Sequence, residues 1–164
     1  MMVLLKKVVE KTGKTIEELW PNLEVYFHGG VNFAPYRSQF ETILPKKMRY
    51  METYNASEGF FGLQDDPKKD SMLLLLDYGV YYEFLPIDQL EASNPKVINL
   101  ADVEIGKNYA ILISTNAGLW RYLIGDTICF TEKYPYRFKI TGRTKNFINA
   151  CGEELIVDNA IQAF

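Results

Sequence analysis

The sequence predicts a mixed α/β chain: a strand, helix, strand piece of an open sheet, followed by a β-rich, barrel-like subdomain. Three observations lead there. Apolar residues recur at helical spacing in the first fifty residues, as Leu4, Leu5, Val8 and Val9 and again as Tyr36, Phe40 and Ile43. Strand-sized apolar runs at 23–27 and 48–51 flank the second of these helices. Beyond the polar connection Asp65-Asp66-Pro67-Lys68-Lys69-Asp70, alternating runs recur with short glycine or proline turns, as in an antiparallel sheet or small barrel.

Taken in order, the first helix ends at Gly13, and Thr15 with Glu18 forms a capping box for a short helix that Pro21 stops. The strand at 23–27 runs into His28-Gly29-Gly30, where the lone histidine reads as a core residue. A helix then covers 34–44, with Pro35 suited to its first turn. The strand at 48–51 closes the unit, and the helix between the two strands implies a parallel pair with a right-handed crossover. The loops at 28–30 and 52–59 then leave the same edge of the sheet. Further on, 71–76 and 80–85 flank Asp77-Tyr78-Gly79 as a hairpin, and 88–93 is a short polar helix or turn. Strands follow at 108–115, 127–131 and 136–140, the last with Tyr136, Phe138 and Ile140 alternating with Arg137 and Lys139. A helix opens at 156 and runs to 164. This divides the chain into 1–66, 67–142 and 143–164.

Composition excludes several classes. With 164 residues, 48% of them apolar, the chain fills one core and is not disordered. Its net charge is −3 and its basic residues come in pairs (Lys6-Lys7, Lys46-Lys47, Lys68-Lys69) without a stripe, which argues against nucleic acid. Cys129 and Cys151 have twenty-one residues between them and the chain has a single histidine, so neither a zinc site nor a disulfide framework is indicated. A reducing, cytoplasmic setting is expected. The longest apolar runs are strand-sized and no signal core opens the chain, so no membrane is expected.

Three clusters can carry chemistry. Glu52-Thr53-Tyr54-Asn55-Ala56-Ser57-Glu58-Gly59 brings a ring, an amide, a hydroxyl and a carboxylate together at the end of a parallel strand, where open α/β sheets place their sites. In the stretch from Thr115 to Asp126, Gly125 permits close backbone approach and Asp126 can accept two hydrogen bonds from a vicinal diol such as a ribose. In Thr141-Gly142-Arg143-Thr144-Lys145-Asn146, arginine offers a planar fork for ribose or phosphate oxygens. Taken singly, each cluster also reads as ordinary turn or solvated-loop chemistry.

Four motifs stand in order over nearly the whole chain. They are Phe27-His28-Gly29-Gly30 with Ala34-Pro35-Tyr36-Arg37, then Tyr54-Asn55-Ala56-Ser57-Glu58-Gly59-Phe60-Phe61-Gly62, then Gly118-Leu119-Trp120-Arg121-Tyr122-Leu123-Ile124-Gly125-Asp126, then Gly142-Arg143-Thr144-Lys145-Asn146. Together they resemble the adenylate-forming superfamily of acyl-CoA synthetases, nonribosomal adenylation domains and luciferase. Within it the likeness is to the auxin-responsive acyl acid amido synthetase family, in a form like its bacterial members.

The resemblance implies an ATP-dependent, Mg²⁺-requiring ligase that adenylates a carboxylic acid and passes the acyl group to an amine or amino acid. It implies that Gly29 and Gly30 line the adenine pocket with their backbone and that Tyr54 lies against the adenine ring. Ser57 would meet the acyl carboxylate or α-phosphate, and Glu58 would hold the Mg²⁺; a hard cation is commonly held by one or two carboxylates plus phosphate oxygens. Asp126 would bind the ribose hydroxyls, Arg143 would assist there or at phosphate, and Asn55 and Tyr122 complete the nucleotide set. Lys145 matches the hinge of the mobile C-terminal lobe and joins Ser57 and Glu58 as a catalytic position.

Two departures matter. No Ser/Thr/Gly-rich phosphate loop precedes His28, and Leu123 stands where many superfamily members have arginine, although Arg121 before Tyr122 fits the amido synthetases. The chain is therefore expected to be a central piece of a longer enzyme, holding half a nucleotide site, inactive alone, and able to self-associate through exposed edges. A piece of an acyl-CoA synthetase-type ligase and a non-catalytic nucleotide-binding or interaction module stay open beside it.

Overall fold

Capping residues set the boundaries of the first helices. In the computed structural model, which describes residues 1–30, 33–144, 147–150 and 153–156, helix α1 (Met2–Thr12) ends at Gly13. That glycine sits at φ 66° and its N–H bonds back to the Val9 carbonyl, a left-handed position that costs a glycine nothing for lack of a Cβ. Helix α2 (Ile16–Leu19) starts on the full reciprocal capping box of Thr15 and Glu18. Strand β1 (Val25–His28), helix α3 (Ala34–Glu41) and strand β2 (Arg49–Ala56) then form the expected unit, with β1 and β2 parallel and His28 opposite Glu52. Helix α3 stops short of residue 44 because Pro45 follows and disfavours helical geometry before it. Ile16, Phe33, Phe40, Leu44 and Met48 are buried here, with Leu5, Val9 and Tyr26 packed around them.

Strand β2 does not stop at Met51. It continues through Ala56, and only Ser57 and Glu58 separate it from β3 (Gly59–Leu63), its antiparallel partner. The stretch expected to be a loop is a hairpin, because Thr53, Tyr54, Phe60 and Phe61 are strand formers that find each other.

The hairpin expected at 71–76 and 80–85 does not form. Gly79 takes φ 72°, as a tight turn would need, yet β4 (Met72–Leu74) pairs with β3 and β9 (Tyr136–Arg143), while β5 (Val80–Pro86) pairs with β6 (Ile98–Asn99) and β7 (Asn108–Thr115). Strand β6 (Ile98–Asn99) is short, a 3-10 turn over Ile87–Gln89 opens the stretch expected as a polar helix or turn, and β7 (Asn108–Thr115) lies as expected. Strand β8 (Tyr122–Lys133) is far longer than 127–131, so Gly125 and Asp126 sit inside a strand and not in a turn. It pairs with β9 (Tyr136–Arg143), and β10 (Phe147–Ala150) and β11 (Glu153–Ile156) form a separate antiparallel pair. Ile156 closes β11, and the rest of the expected terminal helix lies outside the described residues.

Among the described residues nine strands form one sheet, in the order β1-β2-β3-β4-β9-β8-β7-β5-β6. Phe61 on β3 and Tyr82 on β5 are five strands apart in that order, which in a flat sheet is about 24 Å at the usual spacing. Their ring centroids are 6.3 Å apart, and the Tyr82 hydroxyl donates to the Leu75 carbonyl after β4 at 3.1 Å. The sheet is therefore curled into a barrel-like shape around Phe61, Phe84, Ile111, Ile128, Phe130 and Phe138. That curl also explains the failed hairpin, since β4 and β5 face each other across the core instead of lying side by side.

Candidate functional site

Asp126 has the same strand parity as Ile128 and Phe130, so it faces into the curled sheet and is buried at 7% exposure. A bulge then sets its partner. Ile128 pairs with Ile140 but Thr127 pairs with Gly142, which leaves Thr141 as an extra residue on β9. A one-residue shift reverses the facing of everything beyond it. Arg143, which would otherwise point away from the face of Phe138, stands opposite Asp126, and its Nε donates to Oδ1 at 2.8 Å. The backbone N–H of Thr144 donates to the Gly125 carbonyl at 2.8 Å, and the Thr144 hydroxyl donates to the same oxygen at 3.2 Å. Gly125, at φ 94°, takes the turn in the strand that this clamp requires.

Tyr54 reaches the same carboxylate from the other side, its hydroxyl donating to Asp126 Oδ2 at 2.7 Å. A second bulge seats it: Tyr54 pairs with Gly62 and Asn55 with Phe60, leaving Phe61 extra. A Cβ at Gly62 would lie 2.6 Å from Phe138 Cζ, so glycine there makes the room in which Phe138 packs against Tyr54. The Tyr54 ring lies between Phe61 and Phe138 and is 5% exposed, so its hydroxyl is the group it gives to the site. Burial, and then the charge and hydrogen bond of Asp126, push its ionisation far above the ordinary tyrosine range; Glu58 adds to this and Arg143 opposes it. Tyr54 therefore remains a donor at any working pH.

The other expected positions are placed as follows. Gly29 follows the last residue of β1, where a Cβ would collide with the Thr53 carbonyl oxygen, and the Thr53 hydroxyl donates to the His28 carbonyl at 3.2 Å, so glycine is needed for the two segments to approach. Gly30 has φ 80° and open space around it. Asn55 and Ser57 are exposed, and Glu58 is half-buried at the hairpin tip, where its charge is felt by Tyr54. Tyr122 begins β8 opposite Ile113 and is 40% exposed. Lys145 lies outside the described residues. The structure thus brings Tyr54, Asp126, Arg143 and Glu58 into one neighbourhood from segments far apart in sequence.

One feature was not anticipated. A cleft of about 510 Å³ opens between α3 and the 64–70 connection. His28 and Tyr50 line it, and His28 Nδ1 and Tyr50 Oη are buried without a hydrogen-bond partner among the described residues. The His28 ring stacks on Phe33 at 4.2 Å, and the Arg37 guanidinium lies 5.1 Å from the Tyr50 ring centre. Burial, then the Arg37 charge, lowers the His28 pKa, while burial raises that of Glu52 against the opposing charge of Lys139. The signal available in sequence was parity alone: Tyr26 and His28 on β1, and Tyr50 and Glu52 on β2, share one face once the parallel register is known.

Residues 2–48 match the GH3 family N-terminal domain, and residues 73–143 match the GH3 family central domain. The indole-3-acetic acid-amido synthetase GH3.3 of Arabidopsis thaliana is 32% identical over 73% of this chain and 21% of its own length. The indole-3-acetic acid-amido synthetase GH3.8 of Oryza sativa subsp. indica is 34% identical over 71% of this chain and 20% of its own. The solved GH3.15 acyl acid amido synthetase shares the fold at a TM-score of 0.66 and 24% identity, over 90% of this chain and 27% of that one. The chain spans about a fifth of the length of the curated relatives it matches. It belongs to the GH3 family, the amido synthetase family its motifs resemble, and carries parts of that family's N-terminal and central domains.

Proposed function

We propose that this chain supplies the ribose side of the nucleotide site in an ATP-dependent, AMP-forming ligase that joins a carboxylic acid to an amine or amino acid. The observation that carries the reading is the buried Asp126 carboxylate held between Tyr54 and Arg143. It is an acceptor suited to a vicinal diol, with a cation beside it for ribose or phosphate oxygens. The amido synthetase names of the relatives support the reaction class.

In this reading the carboxylate attacks the α-phosphorus of ATP, pyrophosphate leaves, and the amine then displaces AMP to form the amide. The chain's residues align groups and balance charge that builds on phosphoryl oxygens. The Gly29 and Gly30 backbone borders the adenine, with Asn55 and Tyr122 at the same nucleotide. The Ser57 hydroxyl, exposed at the hairpin tip, faces the acyl carboxylate or α-phosphate. Glu58, an oxygen donor at that tip, would hold Mg²⁺ together with phosphate oxygens, and the ion would spread the phosphate charge. Lys145 serves the hinge between half-reactions.

We divide the chain at 66 and 142; the buried cluster around Phe40 and Met48 lies wholly within the first segment, although Tyr54 and Phe61 pack into the second cluster and the sheet itself continues from β3 to β4 across the first boundary. The site is a half-site, so the isolated chain binds but does not complete the reaction. We place it in the cytoplasm. Among the described residues no helix is long and apolar enough to cross a membrane.

The test is a titration of AMP, with and without Mg²⁺, into the isotope-labelled chain and its Asp126→Asn variant. Amide shifts at Gly29, Tyr54 and Asp126 that weaken at least tenfold in the variant are expected, the scale of one hydrogen bond to a charged group. A folded chain that shows no shifts would remove these binding roles.

A further inference from the structure

We infer that Tyr54 is a positioning residue for ribose selectivity: its buried hydroxyl fixes one Asp126 oxygen permanently, while Arg143 holds the other only until a ribose arrives. This rests on the reading of Asp126 as the ribose partner.

A carboxylate has two oxygens and about four lone-pair sites. Oδ2 accepts from Tyr54 at 2.7 Å and Oδ1 accepts from Arg143 at 2.8 Å. The two donors differ in access to water. Tyr54 is wedged between Phe61 and Phe138 and is 5% exposed. No water competes for its hydrogen bond, and the hydroxyl cannot turn away without leaving Asp126 buried and short of a donor. The Arg143 side chain is 67% exposed. An ion pair open to solvent on one side is weak and readily exchanged.

A ribose brings two O–H donors. The oxygen that can receive them at least cost is Oδ1, because the group to be displaced there is already solvated. The freed guanidinium remains beside the site, able to turn its fork toward a ribose or phosphate oxygen. Tyr54 meanwhile stops the carboxylate from rotating about Cβ–Cγ, so Oδ1 stays aimed at the mouth. Removing the hydroxyl while keeping the ring leaves the packing unchanged and frees that rotation. A ring acting only by stacking on adenine would not notice the loss.

The experiment titrates AMP, 2′-deoxy-AMP and adenine into the wild-type chain, Tyr54→Phe and Asp126→Asn, following amide shifts. Tyr54→Phe is expected to weaken AMP about tenfold and to leave 2′-deoxy-AMP and adenine nearly unchanged, collapsing the preference for the diol. If Asp126→Asn removes the preference while Tyr54→Phe keeps it whole, the positioning role is overturned and the ribose reading survives. If Asp126→Asn leaves the preference intact, or the wild-type chain takes up no AMP, the ribose reading fails and this inference with it. A measurement on the wild type needs no variant to fold. On adding AMP the Arg143 Nε–H resonance should move while the Tyr54 ring resonances stay, and the reverse pattern would overturn the assignment of fixed and yielding arms.

Discussion

His28 is the chain's single histidine, which makes its titration separable from all others. Its pKa is lowered from 6.5, first by burial and then by Arg37. As pH falls below about 6.5 the unfolded chain takes up a proton that the folded chain refuses. Stability is therefore expected to fall as pH is lowered through that window, until the folded-state pKa is passed. Urea midpoints between pH 7 and 5 measure this, and the loss of stability on acidification should disappear in His28→Asn. Glu52, opposite His28 in the parallel register, contributes with the other sign. Burial raises its pKa above 4.5, so the unfolded chain loses its proton first and stability falls as pH rises from there. The variant should show that opposing trend alone, and a wild-type slope surviving in it would discard the assignment to His28.

The elements matter to the site mainly through their irregularities. Two bulges, one after Tyr54 and one after Thr127, turn Tyr54, Asp126 and Arg143 toward one point. Deleting Thr141 removes the extra residue and leaves Gly142 opposite Thr127 and Arg143 opposite Asp126, still on the face of Ile140. The core pairs Phe130 with Phe138 and Ile128 with Ile140 lie on the other side of the bulge and should persist. The expected outcome is a folded chain whose amide pattern near Phe138 and whose AMP affinity are kept, while Arg143→Ala reduces that affinity about tenfold. Unchanged affinity in Arg143→Ala would mean that Arg143 takes no part. The bulge was not legible in the sequence, since Ile140, Thr141 and Gly142 read equally well as the last residues of a regular strand. The capping box at Thr15 and Glu18 and the glycine at 13 were legible, because such signals act within one turn of backbone.

At the scale of the whole molecule, the sheet ends at β1 and β6. Among the described residues strand β1 pairs on one side only, with β2, and Phe27 on it is 57% exposed. We expect self-association at high concentration through this edge, which presents backbone groups and an apolar side chain for pairing. Light scattering after size exclusion would show mass rising with concentration, and Phe27→Lys should suppress the rise. A monomer at every concentration would count against it.

The sequence by itself determined the parallel unit, the β-rich remainder and the identity of the residues that meet at the site. These follow from periodicity, caps and the spacing of motifs, all properties of short stretches of chain. Only the tertiary structure decided that β4 and β5 face each other across a core instead of forming a hairpin. The reason is that strand pairing depends on which apolar faces can be buried together, and Phe61 finds Tyr82 only when the sheet curls. It also decided that Tyr54 offers its hydroxyl to Asp126 while its ring is packed away. That choice rests on Gly62, Phe138 and a one-residue shift, features that join β2, β3 and β9 and whose joint effect exists only once the chain has folded.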